Sequence, residues 1–138
     1  MEEFIRKRLE IEIKKSYYIS KRYSVISTFA FLYHEEPLTV DVLGSYVRIS
    51  DKLLKIDDHH YFLNFSFTEQ VDAFKASQNL LLYLDKHFNN RSSCIAIDTF
   101  DINQSPRIVI NRLIQILKAT KNSSYSRIED ENILNEII

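Results

Sequence analysis

Apolar residues at Phe4, Ile5, Leu9, Ile13 and Tyr17 recur at near-helical spacing over residues 2–18, with Glu, Lys and Arg between them. That pattern predicts an amphipathic helix. Its cations Arg6, Lys7, Arg8, Lys14 and Lys15 are partly balanced by Glu2, Glu3, Glu10 and Glu12, which reads as a solvated face rather than a nucleic-acid patch. Residues 23–33 are dense in aromatic and β-branched types and predict a buried strand, ended by His34-Glu35-Glu36-Pro37 because proline cannot continue a central strand. A short apolar stretch at 38–47 predicts a helix of two or three turns. Strands follow at about 52–57 and 60–67, joined by a tight turn at Asp58-His59. Thr68 is placed to cap a long helix running to about His87, with Val71, Phe74, Leu80, Leu81 and Leu84 on its apolar face. Residues 93–100 predict another buried strand. Ser105-Pro106 opens a helix to about Lys121, with proline at its first position. The tail from Tyr125 predicts a short strand and a final helical turn. No linker, repeat or low-complexity tract interrupts the chain.

The inner order β-α-β-β-α-β is the ferredoxin-like arrangement. The fold class expected is α/β (α+β): an antiparallel-containing sheet with helices packed on one face, in a single domain over 1–138. Residues 1–18 form its leading helix and 122–138 its C-terminal strand and tail.

Composition narrows the function. The chain has 138 residues, 45% of them hydrophobic, and a formal net charge of −1, so no whole-molecule field draws it to nucleic acid or to an anionic membrane. No apolar run reaches the length of a membrane span, and the charged Met-Glu-Glu start does not read as a signal peptide. A lone cysteine fits a reducing, cytoplasmic setting. Gly44 is the single glycine, which excludes Gly-rich phosphate-cradling loops of the P-loop or Rossmann kind.

The most informative stretch is Arg48-Ile49-Ser50-Asp51, five intervening residues, and then Asp57-Asp58-His59-His60-Tyr61. This resembles the GGDEF domain, the catalytic domain of diguanylate cyclases, in which an Arg-x-x-Asp motif precedes a five-residue signature on a β-hairpin turn. The order and length of the following strand, helix, strand and helix match as well, over roughly residues 4–128. The departures imply lost catalysis. Asp57 and Asp58 stand where the resemblance calls for two glycines that let the backbone approach a nucleotide. His59 and His60 stand where it calls for a metal-binding and a catalytic carboxylate, and hard Mg²⁺ prefers oxygen. The family's other metal carboxylate belongs at the end of the first strand, a region read here as Ser27–Phe31 and lacking one. Without a metal clamp, phosphoryl transfer loses its main electrostatic stabilisation.

The expectation is therefore a degenerate bacterial signalling domain with no catalytic residues, metal or cofactor, acting on a protein partner or as a homodimer. The alternative is a cyclic di-GMP receptor through Arg48 and Asp51, since Arg can bond phosphate or the guanine edge and Asp can accept from guanine N–H groups. An enzyme of altered chemistry around the turn is the weakest reading.

Other residues receive structural readings. His59 and His60, if adjacent on a strand, point apart and read as a polar hairpin tip; in a turn they could converge, with Asp57 and Asp58 as further ligands. His34-Glu35-Glu36 reads as an exposed loop, and Cys94 as a core side chain. Asp98 and Asp101 at a strand end read as solvated, with Asp101 a candidate helix cap. Tyr17, Tyr18, Tyr23 and Tyr125 read as core edges with wet hydroxyls. The sheet edges, the first helix and the acidic Glu129–Glu131 are candidate contact surfaces. The apolar Ile137-Ile138 leaves open whether the chain is part of a longer one.

Overall fold

The computed structural model describes residues 1–135. The order is α1 (Glu3–Tyr23), β1 (Thr28–Tyr33), α2 (Val40–Gly44), β2 (Lys52–Lys55), β3 (His60–Phe65), α3 (Gln70–Phe88), β4 (Cys94–Asp98), α4 (Pro106–Ser123) and β5 (Ile128–Glu129), ending in a 3₁₀ turn, Glu131–Asn135. The five strands form one sheet in the order β2-β3-β1-β4-β5. β1 lies antiparallel between β3 and β4, β2 pairs antiparallel with β3, and β5 adds in parallel to β4. No helix among the described residues is long and apolar enough to cross a membrane.

Both faces of the sheet are covered, which corrects the expectation of helices on one face. Phe29 and Phe31 of β1 point into a core with Leu9, Ile13 and Tyr17 of α1 and Val109, Leu113 and Ile116 of α4. The alternate residues Ala30 and Leu32 point into a second core with Leu43 of α2 and Leu80, Leu81 and Leu84 of α3. Strand side chains alternate between faces, so a central strand buried along almost its whole length needs cover on both sides. β1 and β4 are such strands, whereas the edge strand β2 is buried at neither end.

Local signals explain the boundaries. α1 runs on to Tyr23 because Ser24 adopts a left-handed conformation (φ 55°) and returns its N–H to the Ser20 carbonyl. β1 therefore begins at Thr28 rather than at Tyr23. At α4, Ser105 Oγ accepts the Ile108 N–H and Pro106 takes the first turn. α3 starts later than expected: Glu69 holds its cap position without a side-chain bond. Thr68 Oγ1 is turned instead to the Ser66 carbonyl and to Arg48, so it is not the cap.

Candidate functional site

The tight turn between β2 and β3 meets the C-terminal end of β1. Tyr33 pairs with His60 across the sheet, and the His34 N–H donates to the His59 carbonyl at 2.9 Å. The end of the first strand is thus Tyr33-His34-Glu35. Ser27–Phe31, taken from the sequence for that place, lies at the strand's start and middle. The revised position also holds no Asp. It holds the buried His34, followed by the exposed Glu35.

The side chains of the turn are largely satisfied by one another. Asp57 accepts the His59 N–H at 2.8 Å, and its carboxylate lies 2.8 and 3.0 Å from His60 Nδ1. Partial burial by itself would raise the Asp57 carboxyl, but the His59 N–H and the His60 ring hold it below the usual carboxylate range. Asp58 pairs with Lys55 at 3.1 Å. His59 Nδ1 faces the His34 carbonyl at 3.3 Å, so the two adjacent histidines diverge. Tyr61 is fully buried, and its hydroxyl donates to the Leu38 carbonyl and accepts the Leu38 N–H, fastening β3 to the segment after β1. Among the described residues no three His, Cys, Asp or Glu side chains converge as a metal site would need.

Beside the turn, on the α4 face, lies an open cleft of about 440 Å³. Phe31, Ile56 and Leu117 form its apolar floor, and Asp57, His60 and Lys121 stand at its rim. Lys121 Nζ sits 3.7 Å from the centre of the Tyr33 ring.

Arg48 and Asp51 occupy the other end of the hairpin. Lys52, next to Asp51, pairs with Asn64, while Lys55, next to the turn, pairs with Tyr61. The two motifs therefore do not form one site. The Arg48 guanidinium grips Asp51 in a fork, with Nη2–Oδ1 at 2.9 Å and Nε–Oδ2 at 3.3 Å. Nη2 also reaches the Ser66 carbonyl at 3.0 Å and Thr68 Oγ1. The Arg48 side chain is 56% exposed and that of Asp51 only 2%. The bond to Asp51 raises the Arg48 pKa further. Thr28 Oγ1 donates to the Thr68 carbonyl at 2.8 Å, which ties in the start of β1. The pair thus joins three chain segments.

His34 is no exposed loop residue. It is fully buried, packed at a tilt against Phe88 with ring centres 4.1 Å apart, and its Nδ1 lies 2.5 Å from Ser93 Oγ. Its Nε2 is buried without a partner, and burial lowers its pKa. The alternation of β1 continues through residue 34 and drives the ring inward, a signal hidden by the polar neighbours Glu35 and Glu36.

Asp98 is not solvated either. It is 1% exposed, and Arg112 of α4 reaches it at 2.9 Å. Burial outweighs that cation and lifts the Asp98 carboxyl to about 6. Asp101 is no helix cap: it accepts the Asn103 N–H at 2.9 Å inside the loop, and Ser105 caps α4. Cys94 is buried, with its thiol pushed up to about 11 by burial. Tyr17 is buried against Phe29 and Phe100 with its hydroxyl unpartnered, so it is not a wet core edge. Tyr18, Tyr23 and Tyr125 stand exposed.

The acidic tail is turned inward. Asp130 and Glu131 accept from Gln70 Nε2 at 3.1 and 3.2 Å, and Glu129 accepts from Ser124. Sequence reading missed these tertiary pairs, as it missed Asp85–Arg127 at 2.7 Å, because the partners lie far apart in the chain. Ile137 and Ile138 lie outside the described residues.

No family model matches the chain, and no curated sequence matches it. Solved structures share its fold. The diguanylate cyclase SiaD from Pseudomonas aeruginosa, solved in complex with its activator SiaC, superposes with a TM-score of 0.72 at 13% identity, covering 91% of this chain and 57% of that one. The GGDEF domain of DgcB from Caulobacter crescentus, solved with c-di-GMP, gives 0.71 at 11% identity, covering 92% and 90%. This chain spans a little over half of the first and nearly all of the second. At such identities the likeness establishes the fold: a mixed five-stranded sheet between helices, as in GGDEF cyclase domains.

Proposed function

We propose that this chain is a non-catalytic regulatory or protein-interaction domain built on a diguanylate-cyclase-like fold. The observation that carries the reading is the chemistry of the hairpin turn. Asp57 and Asp58 replace flexible glycine, His59 and His60 replace carboxylates, and the strand end beside them holds the buried His34 and then the exposed Glu35 rather than an Asp. Asp57 is engaged by His60 and by backbone, and Asp58 by Lys55. A triphosphate entering there would meet two carboxylates and, among the described residues, no cluster suited to Mg²⁺.

Arg48 and Asp51 serve, in this reading, as a lock between loops. A guanine edge would have to draw from an Asp51 carboxylate already filled by the Arg48 side chain and backbone N–H. The fold shared with a c-di-GMP-bound domain is what keeps the receptor reading as a competitor. Isothermal calorimetry with cyclic di-GMP separates the two. The lock predicts no saturable heat. Saturable heat that disappears in Arg48→Ala would make the chain a cyclic di-GMP receptor.

A further inference from the structure

α1 carries a seven-residue repeat. Phe4, Ile11 and Tyr18 recur at one position, Lys7, Lys14 and Lys21 at a second, and Arg8, Lys15 and Arg22 at a third. Between Phe4 and Arg22 these nine residues are the exposed ones, and every other position is buried or half-buried. The outer face of a 21-residue helix, about 30 Å long, is thus made of three large apolar side chains and six cations. Phe4, Ile11 and Tyr18 are 64%, 52% and 64% exposed, far more than core residues of their size.

The carboxylates of α1 do not share this face. Glu3 and Glu10 turn toward Arg107 of α4, at 3.8 and 3.6 Å. Glu12 flanks the face and reaches Lys15 at 3.5 Å, the one ion pair among the six cations within the described residues. Ile11, Lys14, Lys15, Tyr18 and Ile19 enclose a shallow groove of about 400 Å³ along the face.

We infer that this face docks an acidic amphipathic helix of a protein partner. The inference rests on the reading of the chain as an interaction domain and names the surface and the partner's chemistry. A strict seven-residue period is the spacing that keeps a seam in contact with another helix along its length. Apolar residues on that seam fit a partner's apolar seam, and cations flanking it call for carboxylates opposite. A second copy of this chain does not fit, because either pairing direction sets a basic face against a basic face. A nucleic acid would use the cations but leave Phe4 and Ile11 without a role.

The test uses the full chain at low and moderate salt with four probes. These are a labelled three-heptad peptide with leucine seams and glutamate flanks, its lysine-flanked twin, phosphatidylserine vesicles, and duplex DNA. The acidic peptide should bind, weakening with salt. Ile11→Asp/Tyr18→Asp and Lys14→Glu/Lys15→Glu should each weaken it about ten-fold with unchanged circular dichroism, since all four side chains are exposed. Equal binding of the two peptides, no binding of the acidic one, stronger binding to vesicles or DNA, or unaffected variants would overturn the inference. Failure of the non-catalytic reading would register separately, as nucleotide turnover or cyclic di-GMP binding, which involve no residue of this face.

Discussion

Asp98 is held out of solvent beside Arg112, and its carboxyl titrates near 6 in the folded chain. A free Asp titrates near pH 4, so folding favours the protonated form. The stability this group contributes is fully present below about pH 4 and is lost as pH rises through about 6. His34 and Asp57, whose values are lowered, act with the opposite sign and lose stability on acidification. The clean readout is a difference: urea unfolding of the protein minus that of Asp98→Asn, across pH 4 to 7. The protein should lose on the order of 2 kcal/mol relative to the variant over that window. A flat difference would mean that Arg112 fully compensates the burial.

Arg48→Ala would leave the enclosed Asp51 carboxylate without its guanidinium and free the Ser66–Thr68 turn. Half of the Arg48 side chain is in water, so screening keeps the cost near about 1 kcal/mol. The same loss from Asp51→Ala, with little further loss in the double variant, would identify one shared contact.

At the scale of elements, α4 depends on its cap. Ser105→Ala should cost about 1 kcal/mol in chemical denaturation, because the Ile108 N–H loses its acceptor in a helix that spans one whole core. Glu69→Ala should cost far less, since Glu69 makes no cap bond. The sequence signals at Ser105 and Thr68 looked alike, but only the first is followed by proline. Thr68 is claimed by Arg48, a partner twenty residues away that no local rule anticipates. Strand identities were legible because β1 and β3 are rich in aromatic and aliphatic residues and β4 is apolar up to Asp98. Their limits were less so, because Ser24 and Phe67 end elements through left-handed backbone that neither residue type favours. His34, Asp98 and the acidic tail were misread for a related reason. A polar residue whose partner arrives from a distant element looks like a surface residue in one dimension.

At the scale of the molecule, the connectivity was legible and the layering was not. The β-α-β-β-α-β order carried through to a sheet ordered β2-β3-β1-β4-β5, but helices pack on both faces where one covered face was expected, α1 and α4 on one side and α2 and α3 on the other. The consequence for function is geometric. Arg48–Asp51 and the Asp57–His60 turn sit at opposite ends of one hairpin, and the exposed face of α1 is distinct from both. A domain so arranged can keep a cyclase-like scaffold while its contacts move to a helix surface.

In the proposed reading the chain does not cyclise nucleotides. The most direct test is prolonged incubation of the purified chain with GTP and Mg²⁺ or Mn²⁺, with the products resolved by mass spectrometry. GTP should remain unchanged at every protein concentration. Formation of cyclic di-GMP that rises with protein concentration and vanishes in an Asp57→Ala/His60→Ala variant would contradict it.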